Sequence, residues 1–255
     1  GSAWLVGGWQ RSSAAGPWIV RGDPWRFGGS AGNWSLVTGQ TIPVRHHAAM
    51  ATQTEPPSVW VHGGDASGTE NLSQLQAGIR RYRLDLSTWQ LPPITGTPPS
   101  ARAEHNLLAL SAGKQLLLFG GRSNAGLLND VWLFDTKTMT WSRLPDTAVA
   151  PSPRRGAAMA TTATHVWLFG GRDASDQGFR NDLWRMPLGS IGKWQPIRAG
   201  DLGKSGASGG VLTPLKNPCL APASFTALDA LSPPRRSHGM LTEGDGALWL
   251  FGGRG

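Results

Sequence analysis

Five times in this chain of 255 residues a short apolar run ends in two adjacent glycines. The clearest case is Val166-Trp167-Leu168-Phe169-Gly170-Gly171-Arg172. The others are Ala3-Trp4-Leu5-Val6-Gly7-Gly8, Val59-Trp60-Val61-His62-Gly63-Gly64, Leu116-Leu117-Leu118-Phe119-Gly120-Gly121 and Leu248-Trp249-Leu250-Phe251-Gly252-Gly253. The second glycines fall at 8, 64, 121, 171 and 253, in steps of 56, 57, 50 and 82 residues. A period near 50 means an array of one small unit that cannot bury its apolar face alone and stacks on its neighbours. A glycine pair closing a buried strand permits positive φ and a backbone approach that a side chain would block.

More than glycine repeats. The unit from Pro153 carries Arg154, the apolar Ala157-Ala158-Met159, the glycine pair, Asn181-Asp182-Leu183-Trp184 and then Trp194. The preceding unit carries Arg102, Leu107 to Leu110, its own pair, Asn129-Asp130-Val131-Trp132 and Trp141. Short apolar runs bounded by Gly, Pro, Asn and Ser read as strands, and no stretch keeps a helical apolar period. Gly (35) and Pro (19) together exceed a fifth of the chain without a collagen period, as expected of many turns. The later tryptophans, Trp34, Trp89, Trp141 and Trp194, are suited to filling gaps between neighbouring units.

This pattern resembles the kelch repeat, over nearly the whole chain. The resemblance implies an all-β, kelch-type β-propeller with one four-stranded blade per repeat. About four blades are expected: a partial blade at 1–40, complete blades at 41–95, 96–147 and 148–198, an insertion loop at 199–232 and a partial blade at 233–255. Both end segments carry a second strand, so they cannot fill one slot of a closing blade, and a larger propeller is the expectation. In the first blade Pro24 stands in a strand position and removes a donor, which predicts a later strand start or an edge. In the next, Tyr82 is aligned with Trp132 and Trp184. The structural repeat residues are Gly7, Gly8, Gly63, Gly64, Gly120, Gly121, Gly170, Gly171, Gly252 and Gly253, with the four tryptophans.

Catalytic chemistry finds little footing. The copper radical oxidases include kelch-like propellers whose resemblance implies tyrosines, a crosslinked cysteine and histidines, but this chain offers only Tyr82 and Cys219. His46, His47, His105 and His238 follow the unit-opening arginines, with no carboxylate pattern to complete a metal site, so no metal and no cofactor is expected. No Gly-x-Ser-x-Gly, phosphate loop or Cys-His dyad occurs. A propeller enzyme acting on a small molecule or glycan remains the alternative, since nitrile-specifier-like and epimerase-like kelch proteins exist.

The charge points elsewhere. Net charge is +8, dispersed as single arginines and pairs. Without a Lys/Arg block or a nucleic-acid-binding motif, acidic protein segments are favoured over nucleic acid. No run approaches the roughly 18 apolar residues of a membrane span. A single cysteine speaks against a disulfide-rich extracellular module and favours an intracellular setting. An extracellular recognition module stays open through the acceptor triplets Asn33-Trp34-Ser35 and Asn71-Leu72-Ser73.

Two sets of arginines recur. Arg45, Arg102, Arg154 and Arg235 open the units and suit pairing with aspartates such as Asp130 or Asp182. Arg122, Arg172 and Arg254 follow the glycine pairs, and Arg155 and Arg236 stand second in Arg-Arg pairs. In kelch adaptors that bind acidic peptides, arginines at matching places line a pocket. The resemblance therefore makes Arg122, Arg155, Arg172, Arg236 and Arg254 the partner-binding candidates of a non-catalytic interaction module, because the planar guanidinium fork grips carboxylates bidentately.

Overall fold

The computed structural model describes residues 3–11, 13, 16, 18–28, 32–38, 42–67, 69, 72–174, 178–198, 237–244 and 247–254. The expected insertion at 199–232, with Cys219, lies outside them, as do Arg235 and Arg236. The described residues form seventeen strands and two single-turn 3-10 helices. The apolar runs became strands because they alternate, or are buried outright, between turn-forming clusters.

The chain divides into two compact units, Gly1–Asp146 and Thr147–Gly255. The first holds three antiparallel sheets. β1 (Ala3–Arg11), β2 (Trp18–Gly28) and β3 (Asn33–Leu36) form a three-stranded sheet. β4 (Ala49–Gln53), β5 (Ser58–His62), β6 (Ile79–Arg83) and β7 (Thr88–Gln90) form a four-stranded meander. β8 (Asn106–Leu110), β9 (Gln115–Ser123), β10 (Gly126–Asp135) and β11 (Thr140–Arg143) form another. The second unit repeats the meander in β12 (Ala158–Thr161), β13 (His165–Arg172), β14 (Phe179–Pro187) and β15 (Gln195–Arg198), and adds the pair β16 (Ser237–Gly244) and β17 (Ala247–Arg254). These up-and-down sheets are the blades of a β-propeller.

In three of the blades the ladder slips by a residue at the glycine pair. The register shifts between Val6 and Gly8, between Leu128 and Val131 on the partner of β9, and between Phe169 and Gly171. A bulge of this kind re-aims side chains at the strand end. Pro24 is tolerated there. β2 runs through it without interruption as the middle strand of its sheet, and Pro24 lies opposite Val6, where the ladder slips and a missing N–H costs least. The expected late start or edge position is not what forms.

The register also corrects the placement of Tyr82. Trp132 lies opposite Leu118 and Trp184 opposite Leu168, each two residues before a glycine pair. In the second blade that position, Val61, faces Arg80. Tyr82 corresponds instead to Phe134: each pairs with its blade's late tryptophan, Trp89 or Trp141. Tyr82 therefore stands two residues beyond the position expected of it.

The blades pack face to face. Between the second and third, Trp60, Ile79, Leu107, Leu116, Leu118, Phe134 and Trp141 share one core. Trp60 meets Phe134 edge-on at 5.3 Å, and Phe134 meets Trp141 at 4.8 Å. In the second unit Ala158, Ala160, Phe169 and Leu241 bring β12–β13 against β16. Trp141 and Trp194 are each only 4% exposed, and Trp89 packs half-buried against Tyr82. Trp34 differs from the packing role expected of it. It is 50% exposed and leans on Phe27, because β3 is the outer strand of its sheet and all four of its residues face solvent.

The glycine pair is required by approach as well as by φ. Gly63 has φ +63°, and a Cβ built there would lie 2.4 Å from the Arg102 carbonyl oxygen. Gly63→Ala is expected to lower the unfolding free energy by about 2–4 kcal/mol, combining backbone strain with overpacking. Gly189→Ala, whose Cβ meets nothing within 4 Å, should change it by less than about 0.5 kcal/mol. Urea denaturation of the two variants is the check.

Candidate functional site

Of the unit-opening arginines, Arg45, Arg102 and Arg154 are buried, and the last two are closed by a complete set of acceptors. Arg102 is 1% exposed. Its Nη1 donates to the Gly120 carbonyl at 3.0 Å and to Asp130 Oδ1 at 2.7 Å; its Nη2 donates to Asp130 Oδ2 at 2.9 Å and to Ser100 Oγ at 3.1 Å. Arg154 repeats this with Gly170, Asp182 and Ser152. The aspartate comes from the bulge opposite the glycine pair, and the tryptophan two residues on donates its Nε1 to the same carboxylate in both blades. Burial alone would raise the Asp130 carboxyl, but hydrogen bonds from Arg102 and Trp132 and the Arg102 charge hold it below its ordinary value. These arginines tie the strand entry, the second strand and the third strand of one blade together.

The second blade breaks the pattern. Arg45 donates through Nη1 to the Gly63 carbonyl at 2.9 Å and through Nε to the Pro43 carbonyl at 3.1 Å. Its guanidinium makes no ion pair with a carboxylate among the described residues. Burial, and then the nearby charge of Arg80, lower its pKa to about 10.

Two of the partner-binding candidates fall at one kind of position. Arg122 and Arg172 each directly follow a glycine pair, are half-buried, and form isolated antiparallel bridges with Ala103 and Arg155. Arg155 and Arg172 exchange both backbone hydrogen bonds, at 2.9 and 2.8 Å, so the structure brings these two candidates side by side. The Arg172 guanidinium lies 5.4 Å over the Phe179 ring. Neither Arg122 nor Arg172 has a carboxylate partner among the described residues. Arg254 is placed by its backbone in β17, and its side chain lies outside the described residues. Arg236 lies outside them entirely.

In the second blade the same position is Asp65, fully buried. It bridges to His46 and accepts from the backbone N–H groups of Ser67 and Gln74, both at 2.7 Å. Its Oδ1 lies 3.4 Å from His46 Nε2. The residue after the glycine pair is therefore a cation in the blades of Arg122 and Arg172 and a buried, hydrogen-bonded aspartate in this one.

Sequence reasoning missed one buried pair. His62 stands where the other full units carry Phe119 and Phe169, and its Nδ1 lies 2.9 Å from His105 Nε2. Burial, then the charges of Arg102 and Arg45, push His62 down to about 3, and burial likewise pushes His105 well below its usual value. The signal was a polar residue ending an otherwise apolar strand. Among the described residues no three His, Cys, Asp or Glu side chains gather as a metal site. At the opposite strand ends of the first unit lies an open groove of about 780 Å³ lined by Gln53, Arg81, Lys114, Asp135, Thr136 and Met139, a mixed-charge surface without a nucleophile–base pair. Among the described residues no helix is long and apolar enough to cross a membrane.

Four-stranded blades, glycine-pair bulges and Arg–Asp clasps define a propeller of the kelch class. Residues 1–219 match the model of the KLHDC2/KLHL20/DRC7 kelch-repeats domain, and the chain belongs to that family. It is 36% identical over 155 residues to the bovine (Bos taurus) Rab9 effector protein with kelch motifs, covering 59% of this chain and 39% of that protein. The mouse (Mus musculus) protein of the same name is 37% identical over 143 residues, 54% of this chain and 36% of that protein. Acyl-CoA-binding domain-containing protein 4 of Arabidopsis thaliana is 39% identical over 140 residues, 55% of this chain and 20% of that protein. The chain thus spans about two fifths of the length of the Rab9 effector relatives it matches.

Two outcomes are expected. Asp130→Ala leaves Arg102 buried without its counter-charge and should cost about 3–5 kcal/mol in denaturant unfolding. A histidine held below its unfolded pKa binds protons preferentially in the unfolded chain. Its contribution is therefore complete above about pH 6.5 and is lost as pH falls towards 3, by up to about 1.4 kcal/mol per pH unit for each histidine. His62→Phe should flatten the fall in Tm between pH 7 and pH 5; equal falls in both proteins would contradict the assignment.

Proposed function

We propose that this chain is a non-catalytic interaction propeller that captures a partner protein through an acidic segment, using Arg122, Arg155, Arg172, Arg236 and Arg254. One contrast carries the reading. The buried unit-opening arginines of two blades are closed by aspartates, whereas Arg122 and Arg172, one position beyond the glycine pairs, are half-buried and have no carboxylate partner among the described residues. Arginines spared internal pairing can offer bidentate contacts to carboxylates on another chain. The net charge of +8 steers an acidic partner towards such a surface.

The relatives supply the first partner class to try. Proteins named as Rab9 effectors make a Rab-type GTPase the natural probe. Purified Rab9, loaded with GTP analogue or GDP, would be titrated against the immobilised chain. Replacing Arg122, Arg155, Arg172 and Arg236 with Glu should weaken capture by roughly tenfold or more while leaving a cooperative unfolding transition, since rim charges act mainly on association. Unchanged capture by a folded variant would overturn the arginine assignment.

A further inference from the structure

The second blade differs from the next two at three positions around one edge of a guanidinium. In the third and fourth blades the Nη2 of the buried arginine is filled twice, by a serine hydroxyl two residues upstream and by the bulge aspartate. Upstream of Arg45 the serine position is Pro43, which has no hydroxyl. The aspartate position, two residues before the one that faces Val61, is Gly78. The tryptophan that donates to the aspartate is replaced by Arg80. A carboxylate, a hydroxyl and an indole are thus exchanged for a glycine, a proline and a second cation.

Gly78 has φ +85°, and a Cβ built there meets nothing within 4 Å, so no described group fills the space beside it. In the next blade the corresponding Asp130 side chain is 13% exposed, so a group at that position is not sealed from solvent there. Arg45 itself is 2% exposed, which makes an unmatched charge there costly. Arg80 stands on the same side of the balance, since it makes no ion pair among the described residues and its charge disfavours that of Arg45.

We infer that Arg45 and Arg80 form a carboxylate-binding subsite, in which a carboxylate from outside the chain takes the place that Asp130 and Asp182 occupy in the following blades. The carboxylate would accept from Arg45 Nη2 as those aspartates accept from theirs, with Arg80 as a second cation. An acidic side chain of a bound polypeptide is the source that the chain's charge favours. The inference deepens the partner reading above, but its test does not need that partner.

Thermal unfolding of the whole chain would be followed at pH 7.5 in sodium acetate and in sodium chloride at equal ionic strength. A saturable acetate-specific rise in Tm of about 2–4 °C is expected. Gly78→Asp, which supplies the carboxylate from within, should abolish that increment. Arg80→Gln, which leaves Arg45 in place, should shrink it. An increment that is absent, or equal in all three proteins, overturns the subsite. A tetraglutamate peptide capped at both ends separates the sources. Action at lower concentration than acetate assigns the site to polypeptide side chains; action by acetate alone assigns it to small free carboxylates. Loss of Rab9 capture in the arginine variants would neither mimic nor mask these shifts, so the two readings fail separately.

Discussion

The structure of the first unit hangs on a relay between glycine and arginine. The second glycine of one blade donates its N–H to the carbonyl of the next blade's opening arginine: Gly8 to Arg45 at 2.8 Å, Gly64 to Arg102 at 2.9 Å. The first glycine lies so close to that carbonyl that a Cβ would stand 2.4–2.5 Å away. The arginine then turns its guanidinium back onto the first glycine of its own blade, Arg45 onto Gly63 and Arg102 onto Gly120. Backbone thus holds blade to blade, and in the second and third blades a buried cation holds strand to strand. At Gly7 and Gly63 the close approach leaves no room for a side chain.

A relay built on buried cations needs counter-charge. The bulge supplies it, because the extra residue in the third strand lets an aspartate turn inwards at the level of the glycine carbonyl. Such a pair adds little stability over an apolar substitute of the same shape, but losing one partner is expensive. In the second blade Gly78 stands in place of the carboxylate. The arginine stays, held by two carbonyls, and its charge is left for something else to meet. The apolar contribution comes from the interblade layer, where Trp60, Phe134 and Trp141 interlock and Gln53 satisfies the Trp60 indole while reaching Thr136.

One residue beyond the relay, the same geometry serves a different end. The position after the glycine pair is fixed by a backbone bridge to the strand entry in the second, third and fourth blades. The residue type at that position is free to vary. Arg122 and Arg172 leave a charge half-exposed, whereas Asp65 turns in and is consumed by local hydrogen bonds. A rigid scaffold with interchangeable tips is how recognition surfaces are commonly built.

The repeat, the strand content and the arginine–aspartate clasp were legible in the sequence, because each is written as a local spacing: a glycine pair, an Asn-Asp-apolar-Trp run and an arginine ahead of them. The strand through Pro24, the place of Tyr82 and the exposure of Trp34 were not. Each depends on register or on which strand lies outermost, and a one-residue slip in a ladder leaves no mark on composition. The His62–His105 pair and the unmatched edge of Arg45 join residues from separate strands and loops, 43 apart in the first case. The sequence by itself determined the blade, since an apolar strand that must pass close to a neighbour's backbone at positive φ calls for glycine there. The tertiary structure alone decided which charges are paired inside the blades and which are not, because that depends on side chains meeting across strands that only folding brings together.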